Sequence, residues 1–379
     1  MDPLAAVRVA RSIVSGWVVR PSTPTRMVLA VTRRCNLRCA TCRSSAAAPG
    51  ADLTPAEVAS LCAACPGLAW LDVTGGEPMM RRDAAEVFSA ILGAAPSLGV
   101  LHFPTNGTFP DRAEAVARLV RRERPHVELI VTVSIDGPRE LHDRLRGRSF
   151  ERAVETWSRL RSIEGVRVYA GTTVSAGNAH ALAATEAALA TALPGFEARS
   201  WHWNLAIESG LFFDNGGMPD LFPPDPVAHV RAHALRRGVP RGPVDLMEAV
   251  FLANLHGRLS GRPIGFGCQA LRTSCFVSAD GGVYPCHVWD RRVGSLREEG
   301  FRMDRIWASG AALAARRGAE RVECGGCFTP CEAYPAIAGA PVRAVAGAVR
   351  EWRRMVGARA GSDSGAGTTG PGAGRTRCP

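Results

Sequence analysis

Three cysteines near the start of the chain have a spacing that suits metal chemistry. Cys35, Cys39 and Cys42 are separated by three and by two residues, directly after an apolar run. This spacing lets one short loop place three thiolates at three corners of a cubane iron–sulfur cluster, which leaves the fourth iron without a protein ligand. The alternative is a structural zinc site, but zinc takes four ligands and this loop offers no fourth Cys or His. The pattern therefore favours an iron–sulfur cluster with one open iron.

Polar and glycine-rich tetrads follow the next predicted strands in order. Each tetrad alone is ordinary turn chemistry, because Asn-Gly and Asp-Gly pairs are common in turns. Their recurrence at successive strand ends, after the cysteine loop, is not expected by chance. The tetrads are Gly75-Gly76-Glu77-Pro78, Thr105-Asn106-Gly107, Ser134-Ile135-Asp136-Gly137, and Thr172-Thr173-Val174-Ser175 with Asn178.

With these motifs, residues 27–334 resemble the radical S-adenosylmethionine (SAM) superfamily. The resemblance implies that the open iron binds SAM and that an electron from the cluster releases a 5′-deoxyadenosyl radical. Glycines permit close backbone approach, and Glu77 or a carbonyl would accept from the SAM ammonium group. Thr41 stands where many relatives carry an aromatic side chain near adenine. The implied SAM contacts are Gly75, Gly76, Glu77, Asn106, Ser134 and Thr173.

A second group of cysteines lies near the other end of the chain: Cys268, Cys275, Cys286, Cys324, Cys327 and Cys331. Its spacing resembles the twitch form of the SPASM/twitch auxiliary-cluster domain. The resemblance implies one cluster on Cys268, Cys286, Cys324 and Cys327. Two cubane clusters would need about eight cysteines, more than this group offers. Zinc is the alternative, because four cysteines also suit a tetrahedral zinc site.

Two cysteines of this group, Cys275 and Cys331, exceed the four ligands. Cys331 could replace one of the four, whereas Cys275 on the predicted hairpin fits a core position better. Cys62 and Cys65, on a predicted helix with apolar neighbours, are expected in the core. Cys378, in the tail, is expected to be free.

The elements that must position these motifs alternate between strands and helices. The strands are predicted at 27–32, 69–74, 100–104, 127–135, 166–174 and 198–205. The intervening helices are predicted at 54–65, 81–95, 111–122, 150–163 and 179–191. Six strands joined by crossover helices predict an α/β fold with a parallel sheet, curled into a partial (β/α)6 TIM-like barrel. Chemistry in such folds lies at the carboxyl ends of the strands, where the motifs fall.

The remaining chain divides by composition and pattern. Helices are predicted at 226–236, 244–259 and 303–317, and a hairpin turns at Asp280-Gly281-Gly282. The predicted regions are an N-terminal helical extension (1–26), the radical SAM partial barrel (27–218), a helical linker (219–262), a small α+β auxiliary-cluster domain (263–340), a C-terminal helix (341–360) and a disordered tail (361–379).

Composition narrows the function classes. The chain has no lysine, which excludes Schiff-base chemistry by a lysine side chain. Its formal charge is +11, but the excess is concentrated after Pro341, and no nucleic-acid motif accompanies it. Neither a signal peptide nor a membrane span is apparent, so cytoplasmic localisation is expected, where cysteines serve metal or redox chemistry. An apolar helical face near the N-terminus favours packing on the domain over membrane-surface docking; its residues are Leu4, Val7, Ile13, Val14, Trp17 and Val18.

Three functions are consistent with this pattern. The first is oxidative modification of a small-molecule, sugar or lipid-linked substrate, by dehydrogenation or epimerisation, with the auxiliary cluster as electron acceptor. The second is peptide maturation, which many SPASM/twitch relatives perform; the segment 142–147 resembles one common in those enzymes and also in relatives of unknown substrate. The residues before the predicted barrel are expected to be too few for a leader-peptide-binding domain, a function that a partner protein could supply. The third is a non-catalytic iron–sulfur electron carrier, which the SAM-contact series argues against.

The resemblance also implies partners and leaves the catalytic residues open. Related systems take their electrons from a flavodoxin or a ferredoxin. The candidates for substrate contact or hydrogen donation are Glu208, His202, Cys275 and Cys331. Alternation along the sixth strand would place His202, Asn204 and Glu208 on one side and the two tryptophans on the other. Arg144 and Arg146 could hold an anionic substrate, although exposure to solvent is the usual state of arginine.

Overall fold

A computed structural model describes residues 2–18, 20–44, 51–219, 221–324 and 329–357, except for the side chains of residues 15, 17 and 18. The described residues form one sheet of nine strands, flanked by helices. The strands are β1 Arg26–Thr32, β2 Trp70–Gly75, β3 Val100–Thr105, β4 Glu128–Ser134, β5 Val166–Val174, β6 Trp201–Leu205, β7 Ser274–Val277, β8 Gly282–Tyr284 and β9 Gly294–Ser295. The helices are α1 Pro3–Val18, α2 Pro55–Ala63, α3 Ala84–Ala94, α4 Pro110–Glu123, α5 Arg139–Arg146, α6 Phe150–Arg161, α7 Leu182–Ala192, α8 Pro226–Arg237, α9 Pro243–Leu259, α10 Met303–Ala308, α11 Gly310–Glu320, α12 Pro330–Gly339 and α13 Pro341–Gly357.

The strand order is β6-β5-β4-β3-β2-β1-β7-β8-β9. The strands from β6 to β7 pair in parallel, and β7, β8 and β9 pair antiparallel. The sheet does not close on itself, because β6 and β9 remain at its two edges. The predicted α/β partial barrel is therefore confirmed, with its six parallel strands and their crossover helices.

The first strand shows how the sheet is buried on both faces. Met27 and Leu29 belong to the large apolar core between the sheet and its outer helices. Val28 and Ala30 point to the opposite face, where they pack with Phe276 of β7. Parallel strands covered on both sides read as nearly continuous apolar runs, as β1 does.

The structure corrects three expectations about the elements. The helix predicted at 303–317 is two helices, because Ser309 has extended backbone and its hydroxyl caps α11 by accepting from the Ala312 N–H. Helix α5 was not predicted, because it is short and strongly polar. The hairpin of β7 and β8 was predicted, but the parallel pairing of β7 with β1 was not.

Helix α1 packs on the domain, as expected, but by a different face. Ala5 is fully buried, and the Arg8 guanidinium donates to the Leu98 carbonyl at 3.0 Å. Leu4, Val7 and Val14, which were expected to face the domain, are exposed instead. The apolar pattern alone did not reveal that a small alanine lies at the contact.

Charged side chains fill the amino end of the barrel. Arg26 donates to Asp72 at 2.5 Å, and the His102 ring lies 2.8 Å from the same carboxylate. Tyr334 of α12 stacks on Trp70, with ring centroids 6.1 Å apart. A cavity of about 260 Å³ remains at this end, bordered by Arg26, Trp70 and α1, whereas the motifs identified above lie at the carboxyl end.

Helices α8, α9 and α13 form a second apolar core with part of α12. In the described part of the chain, no helix is both long and apolar enough to cross a bilayer. The predicted disordered tail and Cys378 lie outside the described residues. The domain boundaries given above stay predictions.

Candidate active site at the carboxyl edge of the sheet

The cysteine loop begins directly after β1 and lies at the carboxyl edge of the sheet. Cys35, Cys39 and Cys42 are all partly buried, and none is in a disulfide. Neighbouring elements hold the loop through its backbone: Ala40 N–H donates to the Leu145 carbonyl at 2.8 Å, and Arg43 N–H donates to the Phe213 carbonyl at 2.8 Å. The loop is therefore fixed from two sides while its thiols remain accessible.

The thiols of this loop share one electrostatic environment. Burial raises the pKa of Cys35 to about 11, and the nearby charges of Glu77, Cys39 and Cys42 add to the rise. The Cys35 thiol binds a metal as a thiolate, so metal binding must displace its proton. No three His, Cys, Asp or Glu side chains among the described residues converge as they would around a single metal ion. A cubane cluster makes a different demand, since each thiolate binds a separate iron, and the donor set of this loop suits it.

Gly75 and Gly76 pack directly against the start of the cysteine loop. Gly75 has a φ of +141°, and a Cβ there would lie 2.1 Å from the Thr32 carbonyl oxygen. A Cβ on Gly76 would lie 2.3 Å from the Arg34 carbonyl oxygen. The two backbones are joined, since Gly76 N–H donates to the Thr32 carbonyl at 2.9 Å. Only glycine fits at either position. The two glycines therefore allow the backbone of the cysteine loop to pack closely against the end of β2.

The Glu77 carboxylate faces inward rather than toward the open edge. It accepts from Met79 N–H at 2.9 Å, from the Thr105 hydroxyl at 2.9 Å and from Asn106 N–H at 2.6 Å. Burial raises its pKa to about 7, although these hydrogen bonds act in the opposite direction. Glu77 therefore ties the end of β2 to the end of β3. With its carboxylate so engaged, a backbone carbonyl of this motif is the better acceptor for an ammonium group.

Asn106 connects the third strand to the cysteine loop. Its amide Nδ2 donates to Asn36 Oδ1 at 3.0 Å and lies 4.0 Å from Cys35 Sγ. Its Oδ1 accepts from Thr108 N–H at 2.9 Å. The contact with Asn36 was not predicted, because nothing in the sequence marks a residue between two cysteines as a partner of β3.

Ser134 and Thr173 lie at the ends of the neighbouring strands β4 and β5, and both are partly exposed at the open edge. Asp136, two residues beyond Ser134, accepts from Thr173 N–H at 2.8 Å. Asn178 donates through Nδ2 to the Asp136 carbonyl at 2.9 Å. The structure thus brings all six predicted SAM-contact residues to one edge of the sheet, beside the cysteines.

The segment around α5 supplies site residues that the sequence did not reveal. Arg146 is largely buried, contrary to the expectation of an exposed arginine, and its Nε lies 2.5 Å from Asp136 Oδ2. His142 is fully buried, where its Nδ1 accepts from Asp136 N–H at 3.1 Å. Burial lowers the pKa of His142 to about 4, and the Arg146 charge adds to this fall. Arg144, in contrast, is exposed. The histidine therefore serves as a neutral hydrogen-bonding group that holds Asp136 in place.

The C-terminal cysteines lie on the side of the sheet where β7, β8 and β9 extend it. Cys268 is exposed as a residue, but desolvation of its thiol, with the nearby charges of Glu332 and Cys324, raises the pKa of the thiol to about 12. Cys286 is buried just after β8, and its sulfur accepts from Trp289 N–H at 3.4 Å. Cys327 lies outside the described residues. The structure therefore places Cys268 near Cys324 and leaves the full ligand set a prediction.

The two surplus cysteines have different surroundings. Cys275 on β7 is buried in the main apolar core. Cys331 is partly buried on the inner face of the sheet. Burial and the charge of Asp72 raise the pKa of Cys331 to about 12, against the opposing charge of Arg26. Cys62 and Cys65 are fully buried in the main core.

The candidate substrate-contact residues on and after β6 also differ in their surroundings. His202 stacks on Tyr169 with ring centroids 3.7 Å apart, and its buried Nε2 has no hydrogen-bond partner among the described residues. Asn204 is exposed, while Trp201 and Trp203 are buried on the opposite face, as the alternation predicted. Glu208 is exposed and accepts from Gly217 N–H at 3.1 Å.

Comparison with known families agrees with this geometry. Residues 29–177 match the radical SAM superfamily. Residues 268–328 match the SPASM family, described as an iron–sulfur cluster-binding domain. The chain therefore contains a radical SAM domain and a SPASM domain. It is a radical SAM enzyme, for which this domain implies a [4Fe–4S] cluster and SAM, and the SPASM domain implies an auxiliary iron–sulfur cluster.

Two curated radical SAM relatives align over most of the chain. An AdoMet-dependent heme synthase of Methanosarcina barkeri is 28% identical over 87% of this chain and 94% of its own length. A second AdoMet-dependent heme synthase, from Oleidesulfovibrio alaskensis, is 28% identical over 78% of each chain. A probable GTP 3′,8-cyclase of Methanocella arvoryzae is 36% identical over only 23% of this chain and 29% of its own.

Solved structures share the fold of this radical SAM enzyme. Native anSMEcpe with bound AdoMet superposes with a TM-score of 0.57 at 16% identity, over 88% of this chain and 98% of its own. Streptococcus suis SuiB bound to the precursor peptide SuiA gives a TM-score of 0.54 at 13% identity, over 84% of this chain and 72% of its own. At these identities the likeness concerns the fold.

Proposed function

We propose that this radical SAM enzyme modifies an unactivated C–H bond of a small-molecule, sugar or lipid-linked substrate, by dehydrogenation or epimerisation. SAM, when bound at the cluster, supplies a 5′-deoxyadenosyl radical that abstracts hydrogen. We assign Cys35, Cys39 and Cys42 to the SAM cluster and Cys268, Cys286, Cys324 and Cys327 to the auxiliary cluster. For dehydrogenation, the auxiliary cluster held by these four cysteines would accept the remaining electron, and the second hydrogen would leave as a proton.

One observation carries the proposal: a single segment, residues 209–215, contacts both cysteine regions. Asn215 Nδ2 donates to the Thr41 carbonyl at 2.9 Å, in the cysteine loop. At its other end, the Ser209 hydroxyl donates to the carbonyl of His287, the residue after Cys286, at 2.8 Å. Electron transfer from a substrate radical to the auxiliary cluster requires that the two be close. The contacts of segment 209–215 with both cysteine regions support an auxiliary cluster that neighbours the substrate site.

Aromatic side chains fill the space between the two regions. Phe212 and Phe213 each contact the His287 ring edge-on, with centroids 5.8 Å and 6.3 Å apart. Phe212 also contacts Phe276 on the inner face of the sheet, at 5.7 Å. Packed aromatic rings exclude water, which protects a substrate radical from side reactions. This packing supports an apolar boundary between the two cysteine regions.

The residues at the carboxyl edge would orient SAM and the substrate. The backbone of the Gly75-Gly76 motif is the proposed acceptor for the SAM ammonium group, because the Glu77 carboxylate is already engaged. Ser134, Thr173 and Asn204 present polar groups at the same edge. The Nε2 of His202 is buried and has no hydrogen-bond partner among the described residues, which makes His202 the preferred candidate for substrate contact.

The curated relatives support a small molecule as substrate. Both heme synthases align over most of this chain, and their names state that they act in the formation of a small molecule. Peptide maturation is the alternative, and its support is structural: anSMEcpe has been solved with AdoMet and a Cp18Cys peptide, at 15% identity to this chain. Because that likeness concerns the fold, the small-molecule proposal is preferred.

Deuterium transfer from a labelled substrate to 5′-deoxyadenosine shows which class of compound contains the substrate. Cells of the source organism are grown in heavy water, and their extract is separated into small-molecule, lipid and peptide fractions. Reconstituted enzyme receives SAM, a reduced flavodoxin or ferredoxin, and one fraction at a time. Deuterated 5′-deoxyadenosine with the small-molecule or lipid fraction is expected. Deuterium transfer from the peptide fraction alone would contradict the proposal and favour peptide maturation.

Cysteine variants then separate the two cluster roles. A Cys286→Ala enzyme should still form 5′-deoxyadenosine but fail to release the dehydrogenated product. Cys62→Ala is the matched control, because it also removes a buried thiol but lies in the apolar core. If Cys286→Ala released as much dehydrogenated product as the control, the electron-acceptor role would be wrong.

A further inference from the structure

Helix α13 presents an apolar stripe to solvent. Val342, Val345, Val349 and Val356 are exposed by 81%, 41%, 46% and 47%. Residues that recur every three or four positions share one face of a helix. The other face of α13, which includes Ala344 and Met355, is buried against α9 and its neighbours. The helix is therefore apolar on both its packed and its open side.

Four exposed arginines lie on the same helix, one of them, Arg353, within the stripe: Arg343, Arg350, Arg353 and Arg354. Arg343 and Arg350 form no ion pair within the described residues. Next to α13 lies a cavity of about 230 Å³, lined in part by Arg262, Arg350 and Arg354. Among the described residues that line it, Glu351 is the one carboxylate, and Arg262 and Arg354 both pair with it. The cavity thus keeps a positive charge that matches an anionic group.

We propose that α13 docks on the surface of an anionic lipid bilayer. The valine stripe would enter the boundary between headgroups and acyl chains, and the arginines would lie among the phosphates. Anionic leaflets attract basic segments next to their surface, so the charge and the apolar stripe act together. This docking is independent of which substrate the enzyme modifies.

Two other occupants of the stripe fit less well. Residues 358–379 follow α13 but contain no Val, Leu, Ile, Met, Phe, Tyr or Trp, so they offer little apolar surface to cover valines. A second copy packed stripe to stripe would bring its own Arg353 and Arg350 toward those of the first, and like charges repel. An anionic bilayer satisfies both the apolar and the charged features.

Vesicle co-sedimentation of the full-length holoenzyme tests the proposal. The vesicles are pure phosphatidylcholine, or phosphatidylcholine mixed with an equal part of phosphatidylglycerol. The stripe variant is Val342→Asp/Val349→Asp, with exposures of 81% and 46% in the parent residues. The matched control is Val239→Asp/Leu246→Asp, whose parent residues are exposed by 81% and 50% elsewhere on the surface. A third variant, Arg343→Gln/Arg350→Gln, removes charge alone.

The wild type and the control are expected to bind the anionic vesicles and not the neutral ones. The stripe variant should bind about tenfold more weakly or worse. The affinity of the arginine variant for the anionic vesicles should fall about fivefold for each arginine removed. Added salt should likewise weaken the binding of the wild type to these vesicles. Absence of wild-type binding, or equal binding by the stripe variant and the control, would overturn the proposal. A dimer by light scattering that only the stripe variant converts to a monomer would also overturn it, by assigning the stripe to a second copy.

Discussion

Nε of Arg146 lies 2.5 Å from Oδ2 of Asp136, in an ion pair that is almost completely buried beside the cysteine loop. Burial disfavours the charge on Arg146, but Asp136 and Cys39 outweigh it and raise the pKa of Arg146 above its usual value. The same segment holds the loop through the bond from Ala40 N–H to the Leu145 carbonyl. This pair therefore links helix α5 to the part of the loop that contains Cys39.

Replacement of Arg146 by Gln should destabilise the protein and loosen the cysteine loop. Removal of one partner from a buried pair leaves the other charge uncompensated, at a cost of about 3–5 kcal/mol. The free energy of unfolding in urea and the iron content after reconstitution should both fall. Arg144→Gln is the control, because Arg144 is exposed two residues away. Equal behaviour of the two variants would contradict a role for the Arg146–Asp136 pair.

Gly76→Ala should reduce iron incorporation while the rest of the barrel stays folded. The added Cβ would lie 2.3 Å from the Arg34 carbonyl oxygen, so the start of the cysteine loop must move. Gly93→Ala in α3 is the control, since a Cβ there meets nothing within 4 Å. Alanine in a helix should stabilise by up to about 1 kcal/mol. Normal iron content in Gly76→Ala, measured with circular dichroism as a check on folding, would show that the loop tolerates this shift.

Cys275 should prove dispensable for the auxiliary cluster. It lies in the apolar core beside β1, so Cys275→Ala is expected to lower stability by about 1 kcal/mol and to leave about eight irons in place. Cys268→Ala is the comparison and should keep only about four irons. Iron and sulfide assays after anaerobic reconstitution measure both. Loss of the auxiliary irons in Cys275→Ala would instead make Cys275 a ligand.

Glu351 should make stability depend on acid pH. Burial acts to raise its pKa, but hydrogen bonds from Arg262 and Arg354, with the His256 ring nearby, lower the pKa to about 2. A carboxyl group with a lowered folded-state pKa stabilises the fold at pH values above its ordinary pKa, and this stabilisation is lost as the pH falls toward 2. Glu351→Gln should therefore cost about 2 kcal/mol at neutral pH, and the difference from wild type should shrink in acid.

Urea denaturation at a series of pH values measures that difference. Glu299→Gln, at an exposed position, is the matched control and should follow the wild type throughout. If the free energies of unfolding of the wild type and Glu351→Gln differed by the same amount across the pH range, packing rather than charge would explain the effect.

The sequence predicted the fold and the strand ends that carry the motifs, because these signals are local. The cysteine spacing, the paired glycines and the Asn-Gly and Asp-Gly turns each lie within a few residues, and strand periodicity placed them at the same edge. The features that were missed depend on contacts between distant segments. Arg146 was expected in solvent, because a polar eight-residue helix gives no sign that Asp136 lies beneath it. The parallel pairing of Met27 on β1 with Cys275 on β7 joins segments that are far apart along the chain.

The role of Glu77 shows a different limit. The Gly-Gly-Glu-Pro motif singled out Glu77, but the sequence could not reveal which way its carboxylate turns. In the structure, Thr105 and the Asn106 backbone take up the carboxylate. Side-chain direction here depends on hydrogen bonds across two strands, which spacing along one strand does not encode.

Metal analysis of the wild type and a Cys35→Ala/Cys39→Ala/Cys42→Ala variant tests the central claim most directly. After anaerobic reconstitution, the wild type should hold about eight irons with matching sulfide, and the variant about four. The reduced wild type should also release 5′-deoxyadenosine from SAM, and the variant should not. Only about four irons in the wild type, all lost in the variant, with zinc in both proteins, would contradict the account. The C-terminal cysteines would then form a zinc site, and the electron-acceptor role would be excluded.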